Sequence, residues 1–262
     1  MTIKPIPKDI AVQFVHQYHY SKILPRLTKE YIGVFENNNL IGVITLGWGT
    51  QPLQTITKLF YKHKLKSFDY YEIGKMCFLP EVNNSNYGSR IMSILVKWVK
   101  KNTDTLFLYT LADGIMGKCG YVYQASNFKY IGNFKTSVYF DNNSGEKIHP
   151  RSAKQLCIEN AIYANKKKVF WLTHDFCEHK NIDKINGLMF RYIYPLSRKA
   201  MKILNEYPEY LNNKNPKEGD LVFEKRVCKG SFEKIGQPDF NMNVFNHNFQ
   251  KYNDGQLTLF GD

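Results

Sequence analysis

The sequence predicts an α/β fold, and three features of its pattern support this prediction. The middle of the chain alternates strand, helix and strand, with β-type runs at 70–79 and 106–109 on either side of an amphipathic helical run at 88–101. This order is typical of a βαβ unit, whose two strands are neighbours in one sheet. A hairpin pattern at 31–46 precedes the unit, and one acidic residue, Asp113, follows its second strand. Open α/β sheets usually place their chemistry just beyond such strand ends.

Composition limits the class of protein. The 262 residues carry a net charge of +13; 43% are hydrophobic, and Tyr and Phe occur 18 times each. The apolar fraction is sufficient for a folded core, and the positive charge favours a polyanionic partner, nucleic acid before an acidic membrane. No apolar run reaches the length of a membrane span, and no signal-peptide pattern opens the chain. The five scattered cysteines fit reduced thiols, so we expect a cytoplasmic protein.

The N-terminal part predicts a helix and then the hairpin. Residues 8–18 place their apolar side chains on one helical face, and His19, Tyr20 and Ser21 follow before a proline that ends the helix. His19 and Tyr20 either face a substrate or simply end the helix. The Gly-Trp-Gly segment at 47–49 interrupts the second hairpin strand, which predicts a bulge or a loop close to a ligand.

A cationic segment, 58–66, follows the hairpin. Its lysines alternate with apolar and aromatic side chains, a pattern that suits contact with DNA phosphates. The alternative is an ordinary solvated face. The lysines are Lys58, Lys62, Lys64 and Lys66.

The start of the central helix offers an anion site. Backbone N–H groups at a helix start attract phosphate or carboxylate groups, and Ser89 and Arg90 lie there. The alternative is an N-cap and a surface cation.

The stretch from 105 to 132 carries the strongest candidates for chemistry. Asp113 leaves a buried strand and enters a glycine-rich loop, where a carboxylate is placed to accept a proton from an amine. The alternative is a turn-forming Asp before Gly. A short helical pattern at 121–127 carries polar groups that match an adenine edge or, alternatively, cap the helix. These groups are Tyr123, Gln124, Ser126 and Asn127.

The second half of the chain is predicted to contain further strands and helices. Near residue 211 the composition changes and the hydrophobic periodicity fades. We expect one domain at 1–210, with an inserted elaboration at about 134–190, and an irregular C-terminal extension at 211–262. His174, Cys177 and His179 have metal-like spacing but no second half of a zinc site, so metal binding is left open. The expected elements are a strand at 135–140, a turn at 141–145, a helix at 151–164, strands at 169–173 and 187–194, and a helix at 197–207.

Five segments together resemble the Mom family of phage DNA-modification proteins. The resemblance extends across about residues 8–205, and its longest and most specific part runs from 112 to 132. The segments are HYSKILP (His19–Pro25), YIGVFENNNLIGVITLG (Tyr31–Gly47), NYGSR (Asn86–Arg90), LADG with GKCGYVYQASNFKYIG (Leu111–Gly132) and MFRYIYPL (Met189–Leu196).

This resemblance implies an acetyltransferase-like (GNAT) fold: a mixed, twisted sheet that splays open in the middle, with helices on both faces. In such folds the donor phosphates meet the loop and helix start after the middle strand, here 83–90. Asn86, Gly88, Ser89 and Arg90 are the implied donor-binding positions. Gly88 is the one glycine in this segment, where such folds usually carry a glycine-rich loop.

The resemblance also implies an activity: conversion of adenine N6 in double-stranded DNA to N6-(methylcarbamoyl)adenine in the bacterial host cell, which blocks restriction enzymes. Asp113 is then the base for the N6 amine, or orients one. Tyr123 and Ser126 line the pocket, and His19 and Tyr20 close it from the other side. Gln124, Asn127 and the lysines of 58–66 are the implied DNA contacts.

The donor and two competing functions stay open. The product contains an N–CH2 bond and a terminal amide, which simple acetyl transfer from acetyl-CoA does not make. A glycine-derived donor, such as an aminoacyl-tRNA, and a metal-assisted step are alternatives. The competing functions are a GNAT-fold N-acyltransferase for a protein or small-molecule amine, and a non-catalytic basic DNA-binding protein. The oligomeric state is left open.

Overall fold

The computed structural model of the chain describes residues 1–21, 24–82, 86–150, 153–228 and 230–242. Its contacts divide the chain into two compact units. The first unit comprises 1–112, 119–133 and 190–217, and the second comprises 113–118, 134–189 and the described residues from 218 onward. The domain boundary predicted at 210/211 stays a prediction.

The first unit is built on a mixed sheet. The strands β1 to β4 pair antiparallel in chain order, whereas β4 and β5 are parallel neighbours. The C-terminal part of a later strand, β8, follows β5 in the sheet. The bounds are β1 (Thr2–Pro5), β2 (Leu27–Glu36), β3 (Asn39–Trp48), β4 (Tyr70–Phe78), β5 (Phe107–Asp113) and β8 (Ile182–Pro195).

The two parallel strands separate partway along their length. Their ladder runs from Tyr70 opposite Phe107 to Ile73 opposite Thr110, although β4 continues to Phe78. The sheet therefore opens between β4 and β5 beyond this ladder. This opening in a mixed sheet confirms the predicted fold class.

A β-bulge lies in β4 where the strands separate. Thr45 of β3 pairs with Lys75, and Leu46 pairs with Ile73, so Gly74 is the extra residue. A Cβ atom at position 74 would lie 2.7 Å from Cγ of Pro25, closer than real contacts allow. Glycine at this position therefore lets the chain after the first helix pack directly on the bulge.

The helices of the first unit pack apolar faces on this sheet. Helix α1 (Lys8–Tyr18) has the predicted bounds and packs Phe14 and Val15 against Val43 and Cys77. Helix α3 (Tyr87–Asn102) confirms the predicted central helix. The remaining helices are α2 (Pro52–Leu59), which the sequence analysis missed, α4 (Tyr121–Ala125), α7 (Arg198–Asn205) and α8 (Pro208–Leu211).

The second unit contains a β-hairpin, two helices and a small C-terminal hairpin. Strands β6 (Lys129–Asp141) and β7 (Glu146–Ile148) confirm the predicted strand and its turn at 141–145. Its helices are α5 (Lys154–Tyr163) and α6 (His174–His179), and its C-terminal strands are β9 (Glu224–Cys228) and β10 (Ser231–Lys234). Both β6 and β8 run through the two units.

The strand predicted at 169–173 is wrong. This segment has no regular structure, because side chains take up its backbone N–H groups. The N–H of Leu172 donates to the Tyr139 hydroxyl at 3.0 Å, and the N–H of Thr173 donates to Oδ1 of Asn160 at 2.7 Å. Side-chain acceptors of this kind replace the neighbouring strand that a β-ladder needs.

In the part of the chain that the structure describes, no helix is long and apolar enough to cross a membrane.

Candidate functional site

The opening between β4 and β5 has the polar segment after α1 on its β4 side. Nζ of Lys75, just beyond the bulge, donates to Oγ of Ser21 at 2.9 Å. The N–H of Ser21 in turn donates to Nδ1 of His19 at 2.8 Å. The His19 ring is buried and stacks on Tyr20, with 4.4 Å between ring centroids. The predicted site residues His19 and Tyr20 therefore lie in a segment that is hydrogen-bonded to β4 through Ser21 and Lys75, at the point where the sheet opens.

This arrangement fixes the tautomer of His19. Because Nδ1 accepts the Ser21 N–H, the neutral ring carries its proton on Nε2. His19 is thus oriented to donate from Nε2. Lys22 and Ile23, the next residues of the predicted motif, lie outside the described residues.

The hydroxyl of Tyr123 lies beside the last rung of the parallel ladder. Thr110, the β5 residue that ends the ladder, is its polar neighbour, and the Tyr123 ring packs against Phe128 and Tyr192. Burial raises the pKa of Tyr123. The phenol therefore stays protonated at neutral pH, so it can donate a hydrogen bond and does not act as a base.

Three polar residues around α4 are engaged within the protein. Nε2 of Gln124 donates to the Tyr192 hydroxyl at 2.9 Å and to the Pro216 carbonyl at 3.0 Å. Oγ of Ser126 donates to the Val122 carbonyl at 2.6 Å. Asn127 adopts a left-handed conformation, with φ of 62°, in the turn before β6. An adenine contact through the Gln124 amide group, as the resemblance implies, therefore requires that these bonds break.

Among the described residues, no side-chain cap from the N-cap residue covers the start of α3. Asn86, the N-cap residue, makes no side-chain cap, and Oγ of Ser89 points back to the Asn86 carbonyl at 3.4 Å. The Arg90 guanidinium lies 5.6 Å from the centre of the Tyr87 ring. The N–H groups of a helix start favour an anion. Residues 83–85 of the predicted donor loop lie outside the described residues.

Gly88 has a packing role at this helix start. A Cβ atom there would lie 2.6 Å from Cγ2 of Val122, so the glycine lets α3 approach α4 closely.

Asp113 belongs to the second unit, where its carboxylate has two partners. Oδ2 accepts from Nζ of Lys147 at 2.7 Å, and Oδ1 accepts from the Ile115 N–H at 3.1 Å. The two charged side chains are only 17% and 14% exposed. Nζ of Lys147 also lies 5.7 Å from the centre of the Phe240 ring. Asp113 thus caps the turn that follows β5 and forms a nearly buried ion pair.

The predicted phosphate-contacting lysines all lie on the surface of the first unit. Nζ of Lys62 donates to the Glu206 carbonyl at 2.6 Å and lies over the Tyr207 ring. Nζ of Lys66 lies 5.5 Å from the centre of the Phe68 ring. Lys58 and Lys64 are exposed. This exposure suits both interpretations of the segment, a DNA contact and a solvated face.

Two of the three residues with metal-like spacing, His174 and Cys177, line a cavity in the second unit. His174 and Cys177 contribute to a cavity of about 390 Å³, together with Lys184 and Arg226. His174 pairs with Glu178 at 3.4 Å, and His179 stacks on Tyr163. Within the described ranges, no three His, Cys, Asp or Glu side chains converge as metal ligands.

The sequence analysis missed two lysines that contact the candidate site: Lys75, which donates to Ser21, and Lys147, which pairs with Asp113. Lys75 stands directly after a glycine in a strand whose following residues, Met76 to Phe78, are apolar, and this break was the available signal. Lys147 gave no comparable signal, because its partner, Asp113, is 34 residues away in the chain.

Comparison with known proteins gives one match to a family model and one to a curated relative. The model described as the Mom protein family matches residues 1–217. The relative, Methylcarbamoylase mom of Escherichia phage Mu, is 26% identical over 208 residues, which cover 78% of this chain and 79% of the relative.

Solved structures of acetyltransferases are similar at low scores. An aminoglycoside 6'-acetyltransferase type Ii has a TM-score of 0.40 and 10% identity, covering 75% of this chain and 98% of that one. An N-acetyltransferase from Staphylococcus aureus Mu50 has a TM-score of 0.36 and 14% identity, covering 74% and 96%.

Proposed function

The chain belongs to the Mom protein family, and on that premise we propose that it converts adenine N6 in double-stranded DNA to N6-(methylcarbamoyl)adenine. The observation that carries this proposal is the family match over residues 1–217, supported by the similarity to a methylcarbamoylase of phage Mu. The modification protects phage DNA from restriction in the cytoplasm of the bacterial host.

The substrate sets two physical requirements. The N6 amine is conjugated with the purine ring, so it is a weak nucleophile, and it is paired inside the duplex. The enzyme must therefore extrude the base, at a cost of about a few kcal/mol, and enclose it in a pocket. The net charge of +13 is available to hold the flanking phosphates, and the rich content of Tyr and Phe supplies stacking surfaces.

We assign the reaction to the opening between β4 and β5. Replacing one N–H of the amine by an N–C bond releases a proton, which a base must accept, while the leaving group of the donor needs a proton. The base can pass the proton that it takes from the amine to the leaving group, while the Tyr123 phenol and the Nε2–H of neutral His19 can donate hydrogen bonds that stabilise the developing negative charge. The family resemblance implies Asp113 as the base, or as the residue that orients one, and within the second unit Lys147 holds this carboxylate in place.

The donor is proposed to bind at the start of α3. The uncapped N–H groups there and the nearby Arg90 fit a phosphate or carboxylate. Asn86, Gly88 and Ser89 complete this set. Acetyl-CoA would supply an activated acyl carbon, whereas a glycine-derived donor such as an aminoacyl-tRNA already contains a CH2 group between a nitrogen and a carbonyl. The product therefore favours the glycine-derived donor.

Purified protein tests this proposal directly. The protein is incubated with duplex DNA and, separately, with acetyl-CoA, glycyl-tRNA and a cell extract, and the nucleosides are then analysed by mass spectrometry. The expected result is N6-(methylcarbamoyl)deoxyadenosine in at least one reaction with the wild-type protein and none with Asp113→Asn. Unmodified adenine under every donor, including the extract, would contradict the proposed activity.

A further inference from the structure

The loop between α5 and α6 exposes two adjacent aromatic side chains. Phe170 is 71% exposed and Trp171 is 60% exposed, although the next residue, Leu172, is fully packed at 2%. A strand at this position would place Phe170 and Trp171 on opposite faces. The irregular backbone presents both rings to solvent. Such apolar groups on a surface mark a contact site when they are clustered.

Both ends of this loop are fixed to the second unit. At its start, Asn165 has φ of 50°, and the Lys166 N–H donates to the Ala161 carbonyl at 2.8 Å, which reverses the chain at the end of α5. At its end, Thr173 and the buried Asn160 exchange two hydrogen bonds, of 2.7 and 3.0 Å. The rings are therefore held on a rigid base, which lowers the entropy cost of using them in binding.

Three consecutive lysines precede the aromatic pair. Lys166, Lys167 and Lys168 are all exposed, and Nζ of Lys168 lies 4.7 Å from the centre of the Phe170 ring. The segment 164–173 contains no acidic residue. Lysine is depleted at the centres of protein–protein interfaces, whereas cations beside aromatic rings are the combination that binds phosphates and unpaired bases together.

We propose that the loop at 166–171 contacts the DNA substrate, with its lysines on backbone phosphates and the rings of Phe170 and Trp171 against bases left unstacked. This proposal rests on the proposed function, because only an enzyme that opens the duplex exposes such bases.

Trp171 provides a direct probe of this contact. The chain has three tryptophans, at 48, 98 and 171, and the indole of Trp48 is held by hydrogen bonds to the Ser67 and Tyr70 carbonyls. Adding a duplex with a mismatched adenine should quench the tryptophan emission of the wild-type protein. Trp171→Phe should bind this duplex without the quench. Equal quenching in both proteins would overturn the proposal.

The salt dependence of DNA affinity distinguishes phosphate contacts made by these lysines from the effect of the protein's overall positive charge. The triple variant Lys166→Gln, Lys167→Gln, Lys168→Gln should lower the slope of log affinity against log salt by about 2 to 3, since each phosphate contact contributes about 0.9. The matched control, Lys97→Gln with Lys101→Gln and Lys202→Gln, loses the same charge from exposed positions of the first unit and should keep the wild-type slope. Equal slopes in the two triple variants would overturn the proposal.

The aromatic pair is tested by the double variant Phe170→Ala, Trp171→Ala. Its affinity for the mismatched duplex should fall on the order of tenfold or more, because each base–aromatic stack contributes strongly. Phe232→Ala, which removes a 39% exposed ring from β10, should bind as the wild-type protein does. Wild-type affinity in the double variant, with normal adenine modification by mass spectrometry, would refute the loop contact and leave the proposed function standing. Absence of duplex binding by the wild-type protein, with no modified adenine, would refute both.

Discussion

At the scale of single residues, the contact between Asp113 and Lys147 has two consequences. It holds a carboxylate in a defined orientation just after β5, and it commits both charges to a nearly buried pair at 2.7 Å. A structural role for this pair and a role of Asp113 in proton transfer are compatible, but they respond differently to substitution. The two roles can be separated by a double-mutant cycle.

Asp113→Asn should lower both stability and activity. It removes the carboxylate that contacts the nearly buried Lys147 ammonium, which costs about 1–3 kcal/mol of the free energy of unfolding. Adding Lys147→Met should recover most of that stability, because the buried ammonium that has lost this contact is then removed. If Asp113 acts on the amine, the double variant stays inactive. Urea unfolding and nucleoside analysis check the two parts, and an active, stable double variant would reduce Asp113 to a structural residue.

Lys184 is a second charged residue whose ionisation should make the stability of the protein depend on pH. Burial and the neighbouring Arg226 lower the pKa of Lys184 from its ordinary 10.5. The folded protein thus binds this proton less tightly than the unfolded chain does. The charged Lys184 therefore destabilises the folded state by the full amount at pH values below its pKa in the folded protein. This destabilisation disappears as the pH rises from that pKa toward 10.5.

Lys184→Met should therefore be more stable than the wild-type protein at pH 7, and the difference should shrink at alkaline pH. Urea unfolding of both proteins at pH 7 and pH 9.5 measures this. A destabilised variant at pH 7 would show that Lys184 has a favourable partner in the folded state.

At the scale of elements, local periodicity predicted helices α1 and α3 and the first hairpin, whereas helix α2 was missed and long-range contacts decided the segment at 169–173. The apolar spacing of 8–18 and 88–101 survives in α1 and α3, because each helix packs one face on the sheet. The run at 169–173 has the composition of a strand. Its N–H groups at Leu172 and Thr173 nevertheless donate to the side chains of Tyr139 and Asn160 instead of to a neighbouring strand. Strand β10 was missed because its four residues are exposed and show no alternation.

The candidate site was only partly predictable for the same reason. His19, Tyr20, Tyr123 and Asp113 stood out as polar groups at the ends of predicted elements. Their partners are distant in the chain, so the contacts of Ser21 with Lys75 and of Asp113 with Lys147 required the three-dimensional structure. The glycine of the bulge, Gly74, gave no sign of its role in sequence.

Gly88 tests the packing of α3 against α4. Alanine favours a helix by about 1 kcal/mol relative to glycine, but its Cβ would meet the stiff Val122 side chain at 2.6 Å. Forcing an extra methyl group into such a contact costs about 1–3 kcal/mol. Gly88→Ala should therefore lower the melting temperature, and Gly88→Ala with Val122→Ala should restore it. A stabilised single variant would show that the two helices move apart easily.

At the scale of the whole molecule, charge and fold agree with one kind of substrate. A net charge of +13 on a chain of the Mom family suits a DNA duplex, whose phosphates supply most of the binding free energy at low salt. The mixed sheet provides an opening between its parallel strands, and surface cations occur in both units, at 58–66 and at 166–168. In the proposed function, specific chemistry and general affinity are carried by different residues.

Mass spectrometry of nucleosides from plasmid DNA, isolated from bacteria that express the chain, tests the central claim most directly. Plasmid from cells with the wild-type protein should contain N6-(methylcarbamoyl)deoxyadenosine, and plasmid from cells with Asp113→Asn should not. Adenine that stays unmodified in the presence of soluble, folded wild-type protein would contradict the account.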